Sequence, residues 1–152
     1  MPVKPIPEGY HTVTPYLMVR DANATIEFLK KAFGAEQPHP PMKNPQGKIM
    51  HAEIKIGDSR VMLGEGNEQW PASPSALYLY VPDADAVYKR ALAAGAMSTV
   101  EPMDQFYGDR AGCVKDQSGN MWWIATHKED VSRAELTKRS EEYFRKQKEK
   151  AA

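Results

Sequence analysis

Apolar and polar positions along this chain follow one pattern, and they follow it twice. Residues 16–24, YLMVRDANA, return sixty-two positions later as YLYVPDADA at 78–86. In each copy a run that alternates like a strand ends at an Asp. A helix-like segment follows and closes on Gly-Ala, FLKKAFGAE in the first copy and YKRALAAGAM in the second. An internal repeat decides how a fold is counted, so the chain is expected to hold two copies of one unit.

The periodicities place the elements. Residues 11–19 alternate as a strand, Asp21 is a natural helix cap, and the helix runs to about Phe33 before Gly34 ends it. The Pro-rich stretch from Pro38 to Gly47 reads as an edge segment or loop. IMHAEIKIG (49–57) and RVMLG (60–64), parted by Asp58-Ser59, form a hairpin. Residues 65–74 link the halves, and the same order returns. It comprises a strand at 76–81, a helix from about Asp83 to Ala94 ended by Gly95, a segment near Thr99–Pro102, and strands at 111–116 and 121–127. The pattern predicts an α+β fold of two tandem βαβββ repeats, about 8–64 and 75–131. From Ser132 the chain becomes a charged helix opening on a capping box, Ser132 to Glu135, to give an extension over 132–152.

Strand alternation sorts the side chains, because successive residues point to opposite faces. Val13, Leu17 and Val19, then Ala52, Ile54, Ile56, Val61 and Leu63, form the face under the first helix. Thr14, Tyr16, Met18, His51, Glu53, Lys55, Arg60 and Met62 form the other. In the second copy Leu77, Leu79 and Val81 lie under the helix, and Ala76, Tyr78 and Tyr80 opposite. The faces away from the helices are mixed, aromatic and titratable, which suits a binding surface better than a core. Two such sheets, as half-barrels, are expected to curve around a shared cleft of the kind that takes small molecules.

Charge narrows the partners. Lys plus Arg equals Asp plus Glu, 20 each, so nothing favours nucleic acid, polyanions or a membrane surface. The single cysteine, Cys113, cannot form an internal disulfide, and MPVKPIPEG has no apolar run fit for a leader or anchor; both point to the cytoplasm. Cys113 reads as a small core residue. No HExxH, CxxC, P-loop or GxSxG motif occurs, and Gly64-Glu65-Gly66 is a turn.

With PYLMVRDANATIEFLKKAFGAE in one half and FYGDRAGCVKDQSGNMWWIATHKED in the other, the chain resembles the vicinal oxygen chelate superfamily. Glyoxalase I, extradiol dioxygenases and bleomycin and fosfomycin resistance proteins belong to it. GDR, D-x-x-G-x-x-W and H-K-E-D resemble its PhnB-like branch more narrowly. The resemblance spans about residues 8–131. It implies four metal-ligand positions, which fall here on Thr14, Met62, Ala76 and Trp123. These offer at most one weak donor among them, so the expectation is no metal, against the alternative of a divalent ion in a non-standard site. It also implies a homodimer.

Two functions follow. One is a protein that binds a small aromatic or drug-like molecule, with Thr14, Tyr16, Met62, Tyr78, Tyr80 and Trp123 in the cleft and Trp70, Phe106 and Arg110 near its rim. The alternative is an enzyme of lyase, isomerase or dioxygenase type. It would use His51 and Glu53, two apart on one strand, as acid and base or as half a metal site. The missing ligands favour binding over orthodox metal-dependent chemistry. The neutral charge balance speaks against a bleomycin-type cationic drug.

Overall fold

The computed structural model describes residues 2–152. The first unit comprises β1 (Tyr16–Val19), α1 (Ala22–Phe33), β2 (Met42–Lys43), β3 (Ile49–Ile56) and β4 (Ser59–Glu65). The second comprises β5 (Ala76–Tyr80), α2 (Ala84–Ala93), β6 (Met97–Asp104), β7 (Asp109–Lys115) and β8 (Met121–His127), and α3 (Arg133–Ala151) follows. Each unit makes its own four-stranded mixed sheet, in the orders β1-β4-β3-β2 and β5-β8-β7-β6. The first strand of each is parallel to its neighbour and the remaining pairs are antiparallel. The α+β arrangement of two βαβββ units, unclosed sheets and a C-terminal helix is therefore the one the repeat predicts.

Local chemistry sets the helix ends. The Asp21 carboxylate accepts the Ala24 N–H at the start of α1, and Gly34, at φ 64°, closes it in the left-handed conformation. Asp83 caps α2 in the same way through the Ala86 N–H. On α1, Ile26, Leu29 and Ala32 are buried on one stripe and pack over Leu17, Val19, Ile54 and Leu63.

The helix-covered faces of both sheets feed a single core. Trp122 and Ile124 of the second sheet belong to the same buried cluster as Leu17 and Leu63 of the first, and α1 touches α2. The Phe33 and Trp122 rings meet across the halves at 5.3 Å. With the helix faces turned inward together, the mixed faces look outward.

A buried turn joins the halves and explains the D-x-x-G-x-x-W spacing. Asp116 accepts the Ser118 and Asn120 backbone N–H groups, the Asn120 side-chain amide and the Trp122 indole N–H. Asn120 in turn accepts the Ser75 N–H, and the Ser118 hydroxyl accepts the Arg20 N–H. These bonds tie the linker and the first unit to the second.

Boundaries differ from the periodicity in places. The first strand starts at Tyr16 and not at His11, so Val13, expected under the helix, is 83% exposed. β6 is longer than the segment expected near Thr99–Pro102 and shifts register around Val100. β7 already includes Asp109 and Arg110, two residues ahead of the strand expected from 111. Ser132 caps α3, which buries none of its residues. It is held by Arg139, which donates to the Phe106 carbonyl and the Glu129 carboxylate, and by Tyr143 against Phe106 at 4.9 Å. Among the described residues no helix is long and apolar enough to cross a membrane.

Candidate functional site

The outward face of the second sheet carries a connected set of aromatic and charged groups. Register places Tyr78 opposite Trp123, Cys113 beyond it, and Asp109 opposite His127. The Tyr78 and Tyr80 hydroxyls both donate to Asp109 Oδ2, at 2.8 and 3.0 Å. Tyr107 Oη lies 3.1 Å from Tyr78 Oη. His127 bridges two carboxylates, with Nδ1 2.9 Å from Asp109 and Nε2 2.8 Å from Asp130.

A carboxylate withdrawn from water requires donors on its oxygens, and here it has them. Asp109 is only 3% exposed, while Tyr78 and Tyr80 are 40% and 65% exposed. Burial alone would push the Asp109 carboxyl up; the bonds from His127, Tyr78 and Tyr80 together outweigh it and hold it below its ordinary range. Burial and the Tyr107 and Asp109 bonds push the Tyr78 phenol far up, and the bond to Asp109 leads the rise at Tyr80. Asp130, then Asp109, raise His127. The carboxylate is a weak base and the phenols are weak acids. The arrangement fixes ring positions, and His127 is the member of the network whose charge changes at the mildest pH.

The outward face of the first sheet is looser. Tyr16 pairs with Met62 across the β1–β4 ladder, and Met62 with Glu53. Tyr16 Oη lies 3.1 Å from His51 Nδ1. Glu53 has His39 at 4.0 Å, and no hydrogen bond links it to His51. Gly64 gives this corner its room: a Cβ there would fall 2.5 Å from the Met50 carbonyl and 3.2 Å from the Tyr16 hydroxyl. Tyr10, outside the expected set, has Arg60 stacked over its ring at 5.3 Å and a buried hydroxyl without a hydrogen-bond partner. Burial, then the neighbouring Glu53, raises its phenol.

Between the sheets runs a groove of about 870 Å³ along the free edge of β5. It gathers Thr14, Ala76, Tyr78 and Tyr80, together with Tyr10 and Arg60. Met62 and Trp123 do not line it; each stays beside its own tyrosine, Tyr16 and Tyr78. Trp70 is 63% exposed in the linker, and Phe106 lies under Tyr143. Arg110 pairs not with Asp109 but with Asp85, at 3.0 Å, and Asp104. What sequence reasoning missed is the network that joins Asp109, His127, Tyr107 and Asp130 to the tyrosines. Parity alone puts His127 on the face of Trp123 and Asp109 on that of Ala111. Which residues meet depends on register between strands, which no local pattern carries.

The metal positions implied by the resemblance do not suit an ion. Thr14 and Ala76 lie at the groove, Met62 and Trp123 on separate sheets, and none brings an imidazole or carboxylate. Among the described residues no three His, Cys, Asp or Glu side chains come together to hold one.

Two βαβββ units in one chain, each with a helix-covered face and an open face bearing aromatic rings, define a class of duplicated proteins. The chain belongs to the Glyoxalase/Bleomycin resistance protein/Dioxygenase superfamily, whose family model matches residues 10–124. It is 36% identical over 135 residues to the uncharacterized protein Mb0911c of Mycobacterium bovis, covering 82% of this chain and 88% of the relative. Two solved structures share the fold. TioX from Micromonospora sp. ML1 matches with TM-score 0.65 and 24% identity, over 77% of this chain and 98% of its own. A glyoxalase-related enzyme from Fulvimarina pelagi matches with TM-score 0.61 and 19% identity, over 76% and 87%.

Proposed function

We propose that this protein, of the PhnB-like branch, binds a small planar or drug-like molecule on the Tyr78–Tyr80–Trp123 face, without a metal, in a cleft completed by a second copy. The observation that carries this is the pair of tyrosines pinned by their hydroxyls to buried Asp109 while their rings stay open to solvent. Rings fixed before binding lose little freedom on contact, and the three lie close together, Tyr80 tilted 57° against Tyr78 at 5.3 Å and Trp123 near parallel to Tyr78 at 6.2 Å. A single chain brings Tyr10, Thr14 and Arg60 of its first repeat to the Tyr78–Tyr80 edge, while its own Tyr16–Met62 face lies on the far side of the shared core. A partner's Tyr16–Met62 face is the natural opposite wall. The lone thiol, Cys113, is buried and pushed up by burial, in keeping with a reducing, cytoplasmic setting.

The enzymatic alternative rests on His51, held at 3.1 Å by Tyr16, with Glu53 on the same face. It is the weaker reading because each of the two has its own neighbour instead of the other. A thermal-shift series on the purified chain, run beside metal analysis, decides between them. Planar aromatic compounds are expected to raise the melting temperature, and Trp123→Leu to abolish the rise. A stoichiometric bound ion, with stabilisation by divalent cations and none by aromatics, overturns the proposal.

A further inference from the structure

Resting on that reading, we infer that the Tyr78–Tyr80–Trp123 face selects organic cations, quaternary or planar ammonium-type groups, over neutral molecules of the same shape. Both phenol protons point at one oxygen of Asp109. A hydroxyl that donates to a carboxylate keeps its oxygen lone pairs turned to the other side, and its ring becomes more electron-rich. Electron-rich ring faces attract positive charge.

Charge around the face has the same sense. Asp109 stands behind the ring tips and Asp130 at the rim, with His127 between them as the one cation in the network. Even with His127 protonated the trio carries a net negative charge. The nearby Arg110 is tied to Asp85 and Asp104, and Arg139 to Glu129 and Glu135. These two guanidinium groups are therefore engaged away from the rings; of the two that line the groove with Tyr78 and Tyr80, Arg60 is stacked over Tyr10 and Arg90 reaches the groove from α2. The chain is neutral overall, so the preference is local and comes from where these groups sit.

Phenyltrimethylammonium and its neutral isostere tert-butylbenzene have the same shape and differ in charge. Binding of each to the full chain is read by quenching of tryptophan fluorescence, with Trp70→Phe and Trp122 retained so that the change reports Trp123. The cation is expected to bind about three- to thirty-fold more tightly. Tyr80→Phe keeps the ring but removes one bond to Asp109, and is expected to shrink the ratio of the two affinities. Asp109→Asn, if it folds, is expected to bring the ratio close to one. Equal or tighter binding of the isostere overturns the cation preference and leaves the aromatic site standing. Failure of both probes to perturb Trp123 in folded protein overturns the site itself, and the preference with it.

Discussion

At the scale of single residues, two buried carboxylates do different work. Asp116 is structural: its four donors all come from its own turn or from Trp122, and they hold the linker and both units in one place. Asp116→Ala strands those donors in a buried site, so it is expected to cost about 2–4 kcal/mol, measured by urea unfolding. Asp109 instead connects to exposed rings, and its coupling to His127 gives a pH signature. His127 has a raised pKa in the folded chain, so its stabilising contribution is complete below about pH 6.5 and fades as pH climbs through the raised value. Asp109 has a lowered one, so its contribution is complete above about pH 3.9 and fades as pH falls through the lowered value. Urea midpoints are expected to decline at both ends, and His127→Gln to remove the decline on the alkaline side. A variant whose alkaline limb matches the parent's would show that His127 adds nothing to stability.

At the scale of elements, what could be read in advance was whatever a short stretch of chain decides for itself. Asp21 and Asp83 cap their helices, Gly34 ends α1, and the Leu77–Leu79 alternation orients β5, all from local chemistry. β6 was expected only as a segment near Thr99–Pro102, because Pro102 and its polar neighbours resemble a loop and its full length comes from pairing with β7. The Asp109 cluster escaped because it joins β5, β7, β8 and the turn carrying Tyr107, whose mutual register is a tertiary outcome. α3 is the opposite case: its capping box announced it, but nothing local says what it packs on. With no buried residue, and held to the domain through Arg139 and Tyr143, it adds little to the fold. A chain ending at Val131 is expected to unfold cooperatively with a melting temperature only a few degrees lower. A molten, non-cooperative product would show α3 to be integral to the core.

At the scale of the whole molecule, the repeat poses a geometric problem that one chain leaves open. β8 takes the backbone groups of alternate β5 residues, with Met121 N–H on the Ser75 carbonyl and Val81 N–H on the Ala125 carbonyl. The amides of Ala76, Tyr78 and Tyr80 therefore point to the free edge, on a strand with no charge or proline to guard it. β1 is the matching edge in the other repeat: Met62 N–H meets the Pro15 carbonyl and Gly66 N–H the Val19 carbonyl, so Tyr16 and Met18 face outward, with the Met18 carbonyl already taken by the Ser73 N–H of the linker. A twofold axis setting β5 of one copy beside β1 of the next pairs the edge groups left free on both and brings the Tyr78–Trp123 face up to a Tyr16–Met62 face. Sedimentation at micromolar concentration is expected to show a particle of twice the 17.1 kDa chain mass. Ala76→Pro removes an outward N–H without touching the β8 ladder, so it is expected to give a folded monomer that has also lost its aromatic ligand, because half the cleft has gone. A parent that sediments as a monomer yet binds the ligand, or a variant that stays dimeric with unchanged affinity, would place the second wall of the cleft somewhere other than β1 of a partner.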